Sequence, residues 1–312
     1  MSTQKHALVT GGAGFIGGHV IDRLLQEGWR VSVIDDFSLG SRESIAAYGS
    51  RINFFERSIT QDLSDVFRGR DYDAVFHIAA LPRVQFSIKD PKKTHDANIN
   101  GTLNVLVHAR DAGVKRFVFS SSSSLYGDQE ILPIVENAKP NPLSPYALHK
   151  LTGEYYCHLF HALYGMETVS LRYFNVYGPR QNPNGEYAAA IARFAHKILH
   201  DEKPTIFGDG EQTRDFTFVS DVVEANFLAA TTQNPKAFGH AFNIGGGIQI
   251  SVNDIVRRIN VILKKDILSE HGAAVTESRH TKADISYAKQ VLGWVPQIPF
   301  DKGLELTVNS LR

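Results

Sequence analysis

Cysteine is almost absent: Cys157 is the only one in 312 residues. A lone thiol cannot close an internal disulfide, so no oxidised framework holds the fold. Net charge is absent too, with 33 Lys+Arg against 33 Asp+Glu. That balance argues against bulk electrostatic binding of nucleic acid, which needs a basic excess or a basic face. It leaves a local phosphate-binding patch open. No apolar run approaches the roughly 18 residues that a membrane helix needs. The opening segment, MSTQKHALVTGG, lacks the basic stretch and apolar core of a signal peptide. No repeat, low-complexity tract or charge run interrupts the chain, and His158 and His161 flank no Cys/Asp/Glu set at metal-ligand spacing. The expectation is a soluble cytoplasmic enzyme or binding protein with no metal, membrane or nucleic-acid partner. Its length suits one large domain or two ordinary ones.

What is present is alternation. Residues 6–10, 29–36, 74–80 and 116–124 are short, nearly continuous apolar runs that read as strands. Between them, residues 15–27 carry apolar side chains at helical spacing, with Gly28 as the stop, and residues 94–113 read as one long helix ending at Gly113. Strand–helix alternation with apolar strands predicts an α/β fold, a doubly wound parallel sheet covered on both faces. The pattern loosens after about residue 175, where residues 175–187 form a loop rich in Gly, Pro and Asn. A soft boundary to a smaller second part is expected there.

Gly11, Gly14 and Gly17 stand between the first strand and the first helix. Glycines in that setting permit a tight turn, close backbone approach to a pyrophosphate, and helix–strand packing. The helix start adds amide donors and partial positive charge. Asp35, near the end of the second strand, can accept from ribose hydroxyls and would repel a 2′-phosphate; the next basic residue is Arg42. These features predict NAD rather than NADP.

Tyr146 and Lys150 form Y-x-x-x-K after Pro145, at the start of a helical pattern. Four residues apart, they share one helix face. The ammonium, with the positive nicotinamide ring, is expected to lower the tyrosine pKa so that Tyr146 acts as a base on a substrate alcohol. Upstream, a strand ends in Ser120 to Ser124, where doubly wound sheets place their ligands. His77 reads as a packing histidine and Cys157 as a small buried hydrophobe.

Together with these motifs, the segments TGGAGFIG, HIAA, NINGTLNVL, SSSSLYGD, SPYALHK, LRYFNVYGPRQNP, GDGEQTRDF and ADISYAK resemble those of extended short-chain dehydrogenase/reductases, above all UDP-glucose and UDP-N-acetylglucosamine 4-epimerases. The resemblance runs from residue 10 to about residue 289. It implies a Rossmann domain over 1–175 and a mainly nucleotide-sugar-binding domain over 176–312. It implies catalysis by Ser122, Tyr146 and Lys150. NAD contacts would come from Gly11, Gly14, Phe15, Ile16, Gly17, Asp35, Ser58, Ile59, Ala79, Ala80 and Asn98, besides Tyr146 and Lys150. A UDP-sugar would meet Val84, Ser122, Ser123, Asn175, Ala189, Ala190, Phe207, Arg214, Arg279 and Thr281. The helices over 94–113 and 146–164 would pair in a homodimer.

Two departures stand out. Residues 57–59 read Arg-Ser-Ile, without the aspartate that many relatives place against adenine. Residues 274–277 read Ala-Val-Thr-Glu, without the second diphosphate arginine of the family; Arg279 or Arg180 is the available replacement. The residues after Ser122 carry no carboxylate, unlike those of the related dehydratases and decarboxylases. That leaves oxidation at carbon 4, rotation of the keto sugar and return of the hydride. Thr281, in place of a bulky tyrosine, leaves room for an N-acetyl group. Arg83, near the sugar-facing segment, keeps a UDP-glucuronate 4-epimerase open.

Overall fold

The computed structural model describes residues 4–82, 84–184, 189–274 and 278–312. Seven strands form one parallel sheet: β1 (His6–Thr10), β2 (Arg30–Asp35), β3 (Ile52–Glu56), β4 (Ala74–His77), β5 (Arg116–Ser122), β6 (Glu167–Tyr173) and β7 (His240–Ile244). Their spatial order is β3-β2-β1-β4-β5-β6-β7. Successive residues alternate between two buried faces. Val9, Phe76 and Leu171 join one core with Val20 and Leu24 of helix Phe15–Gln26 and Val222 of helix Val219–Thr231. Leu8, Val75 and Phe117 join the other, with Val105 and Phe160 from helices Gly101–Asp111 and Pro145–Tyr164. Burial on both faces is why these strands read as unbroken apolar runs. Strand order reverses between β1 and β4, so the crevice for ligands opens at their carboxyl ends.

Local chemistry sets the element ends. Ser144 caps helix Pro145–Tyr164 by accepting from the Ala147 amide, Pro145 occupies its first turn, and Gly165 closes it at φ 68°. The expected helix over 94–113 is present as one continuous run from Pro91 to Asp111, with a π turn at Asp96–Asn100. The π turn falls where Asn98 turns its side chain onto the Leu81 backbone. The boundary expected near residue 175 does not divide the sheet, because β7 and helix Val219–Thr231 return to it from the second half. A smaller separate core gathers Ile191, Phe194, Ile206, Ile255, Ile259, Phe300 and Leu304. Among the described residues no helix is long and apolar enough to cross a membrane.

Candidate active site

Two clefts meet at Gln181 and Ala189. The larger, of about 670 Å³, lies at the carboxyl ends of β1, β2, β4 and β5. Its floor is the glycine loop. Gly11 sits at φ +74°, and a Cβ there would lie 2.8 Å from the Ala79 backbone. A Cβ on Gly17 would lie 2.1 Å from the Gly11 carbonyl oxygen, so only glycine lets the helix start this close to the strand. Gly14, Phe15, Ile16, Ser58, Ile59, Ala79 and Ala80 line the same space. Asp35 lines it too. Its two oxygens accept from the Ala13 amide at 2.9 Å and the Phe37 amide at 2.8 Å. Burial nevertheless raises its pKa above the ordinary value. Arg42 is turned away and forked on Glu56, with one contact at 2.7 Å. The cradle that a Cβ would fill, the acceptor beside it and the size of the cleft all fit a dinucleotide. Asn98 behaves differently from expectation: its amide accepts from Leu81 N at 2.7 Å and donates to Leu81 O at 3.1 Å. It holds the loop that lines the cleft and does not line the cleft itself.

Helix Pro145–Tyr164 lays Tyr146 and Lys150 against the end of β5. Lys150 Nζ donates to the Ser120 carbonyl at 2.7 Å, and the Tyr146 phenol shares a hydrogen bond with the Ser122 hydroxyl. Ser122 Oγ also accepts from the Ser124 amide at 3.2 Å, in the single turn Ser123–Tyr126 that carries Ser123. For Tyr146 the lysine alone does not produce the expected lowering. Burial pushes Tyr146 up to about 12, and only the Ser122 hydrogen bond opposes it. Burial likewise pushes Lys150 down to about 8. Desolvation disfavours both charged forms. In this arrangement Tyr146 is a neutral phenol, and a further positive charge beside it must supply the lowering.

Sequence reasoning missed Ser87. Its buried hydroxyl donates to Val84 O at 2.6 Å and accepts the Tyr146 amide at 3.1 Å, fixing where the helix begins. The contact spans distant segments, so no local signal announces it. It also missed Glu154, one helical turn beyond Lys150. Its carboxylate accepts from Ser121 and from Arg172, whose Nη2 lies 2.7 Å away. His77 bonds Thr10 at 2.9 Å and Thr102 at 3.0 Å, and burial holds its pKa down to about 3. It is a packing residue. Cys157 is buried, its thiol pKa raised by burial. Among the described residues no group of three or more His, Cys, Asp or Glu is gathered as a metal site would require.

The smaller cleft, of about 260 Å³, is lined by Asn175, Ala189, Ala190, Phe207 and Arg214 among others. Asn175 donates to the Asp215 carbonyl at 2.9 Å, and Arg214 donates to the Thr213 carbonyl at 2.9 Å. Val84 begins helix Val84–Lys89 outside both clefts. Thr281 is buried, and its hydroxyl accepts from the Asp215 amide at 3.2 Å, so it acts on this wall from behind. Arg279 stands apart, bidentate on Asp209 at 2.9 and 2.7 Å with its side chain half exposed. Arg83 lies outside the described residues.

A dinucleotide cradle, a Ser–Tyr–Lys cluster and an adjoining arginine-bearing cleft are thus built from one sheet end. Residues 7–245 match the model of the NAD dependent epimerase/dehydratase family. This chain belongs to that family. It is an NAD-dependent nucleotide-sugar 4-epimerase of the extended short-chain dehydrogenase/reductase kind. Similar solved structures cover 98% of this chain and 98% of their own. One is a UDP-glucose 4-epimerase of Thermotoga maritima with UDP-glucose, 37% identical with a TM-score of 0.93. Another is a UDP-N-acetylglucosamine 4-epimerase of Methanobrevibacter ruminantium in complex with UDP-N-acetylmuramic acid, 35% identical with a TM-score of 0.92. A third is a UDP-glucuronic acid 4-epimerase of Bacillus cereus with UDP-glucuronic acid and NAD, 36% identical with a TM-score of 0.91.

Proposed function

We propose that this epimerase interconverts UDP-glucose with UDP-galactose and also accepts the N-acetylhexosamine pair. The observation that carries the reading is the strand end. Ser122 and Tyr146 lie side by side, Lys150 stands one turn on, and residues 123–125 offer no carboxylate for elimination or decarboxylation. NAD+ held in this cleft would supply the acceptor and donor of hydride for transient oxidation at carbon 4. Gly11, Gly14 and Gly17 would leave room for its pyrophosphate, and Asp35 would accept from its ribose. Tyr146 takes the proton of the 4-hydroxyl through the Ser122 hydroxyl, and gives it back to the epimeric oxygen. Lys150 holds positive charge beside the developing phenolate. Arg214 and Asn175 hold the nucleotide side, and the small Thr281 supports acceptance of a 2-acetamido group.

The direct test is incubation with UDP-glucose, UDP-N-acetylglucosamine and UDP-glucuronate, without added reductant, followed by separation of the 4-epimers. Turnover of both neutral pairs is expected. Conversion of UDP-glucuronate alone would refute the reading in favour of the acid, which the Bacillus cereus relative makes the specific alternative. A homodimer belongs to the same reading, because helix Pro145–Tyr164 leaves Leu148, Tyr155, Leu159, Leu163 and Tyr164 exposed along its length.

A further inference from the structure

A nucleoside diphosphate brings two negative charges, and the sequence leaves one of the two expected arginines unaccounted for. Neither replacement suits the task in this structure. Arg279 is forked on Asp209, and Arg180 pairs with Asp22 at 2.8 Å and lines the other cleft. Arg193 is different. It lies in the first turns of helix Ala190–Leu199 and lines the smaller cleft together with Arg214. Its guanidinium stands 5.5 Å from the centre of the Phe207 ring and 5.4 Å from that of Phe194. Its Nε is buried with no hydrogen-bond partner, and among the described residues no carboxylate pairs with it. The described lining of the cleft contains no Asp or Glu at all.

A half-buried cation whose Nε is buried without a partner is unfavourable unless something else supplies the charge. The cleft also holds an orphan acceptor. Gln212 is 7% exposed, donates to the Phe207 carbonyl at 2.8 Å, and leaves its Oε1 buried and unbonded. Unpaired donors and an unpaired acceptor on one wall describe a site completed by a ligand carrying both an anion and an N–H. We propose that Arg193 is the second diphosphate-binding cation, replacing the arginine that residues 274–277 lack. The inference rests on the nucleotide-sugar reading above. The two phenylalanine rings hold the guanidinium plane, so its remaining N–H groups present a fork that matches a phosphate edge.

Calorimetric titration of the purified full chain tests this, with UDP and uridine as probes. Arg193→Met is expected to weaken UDP at least about tenfold, the worth of one charge-assisted hydrogen bond. Uridine, which lacks the phosphates, should stay within about twofold. Arg193→Lys should recover most of the loss. Unchanged UDP affinity in Arg193→Met overturns the assignment. So does equal loss of UDP and uridine, which would mean a stacking role only, or a loss carried instead by Arg279→Met. Where the methionine variant does not fold, Arg193→Gln decides by the same outcomes. An unmodified chain that binds no UDP would refute the nucleotide-sugar reading itself, and the assignment with it.

Discussion

Lys150 should make the folded chain less stable at neutral pH than its methionine variant would predict, by an amount that depends on pH. Lys150 is 5% exposed, and burial lowers its pKa from 10.5 to about 8. Between those two values the unfolded chain holds a proton that the folded chain has released. Stability therefore rises with pH across that window, and the penalty is complete below about pH 8. The lowering from 10.5 to about 8 makes the penalty about 3 kcal/mol at pH 7. At pH 10 the same linkage leaves less than about 1 kcal/mol. Lys150→Met removes the titration, and it also removes the hydrogen bond to the Ser120 carbonyl. The second effect is independent of pH, so comparison of two pH values separates them. Urea denaturation of the chain and of Lys150→Met, without added cofactor, should show the stability difference moving by about 2–3 kcal/mol between pH 7 and pH 10, in favour of the lysine at high pH. His77, His149, Tyr146 and Cys157 lie around the amine in both proteins; burial holds the two imidazoles down to about 3 and 4 and raises the phenol and the thiol, so none of them titrates in the folded chain between pH 7 and pH 10. A difference that stays flat within about 0.5 kcal/mol would refute the claim that the ammonium is buried against its preference.

Tyr146→Phe keeps the ring and removes the proton carrier, so turnover of UDP-glucose should fall by about 10²-fold or more while the melting temperature holds. Unchanged turnover would refute the role given to the phenol. Light scattering should give about twice the chain mass of 34.6 kDa, and a monomer would refute the use made of the exposed face of helix Pro145–Tyr164.

The parts of the site that could be read from the sequence are those whose logic is local. Gly11, Gly14 and Gly17 lie within one turn, and Tyr146 and Lys150 lie within another. The spacing itself therefore carries the geometry. The parts that escaped depend on distant segments meeting. Ser87 reaches Tyr146, Asn98 reaches Leu81, and Arg193 meets Phe207 only after the chain has folded. β3, β6 and β7 also went unread, and β7 for a similar reason. HAFNI is five residues long, flanked by Gly239 and Gly245, and becomes a strand only by pairing with β6. Spacing reveals the lysine beside Tyr146 and conceals the burial that opposes ionisation of the phenol. The larger effect was the hidden one.

That burial follows from one further glycine. A Cβ on Gly153 would lie 2.3 Å from the Phe119 ring, so only glycine lets helix Pro145–Tyr164 settle this close to β5. With the helix seated, three residues at four-residue spacing each find the serine run: Tyr146 the Ser122 hydroxyl, Lys150 the Ser120 carbonyl, and Glu154 the Ser121 hydroxyl. The third rung differs from the other two, because Glu154 is also gripped by Arg172, which bonds Tyr126 at 2.6 Å and the Glu136 carbonyl at 2.8 Å. An ion pair buried on both sides adds little net stability compared with apolar packing, yet breaking it is costly. Its value here is positional. It ties the catalytic helix to β6 and to the turn after Ser122, and its carboxylate raises the pKa of Lys150 against the pull of burial. The order of the rungs also assigns their work. The two nearest the cleft face the ligand and carry chemistry, and the innermost carries the load that keeps them in register.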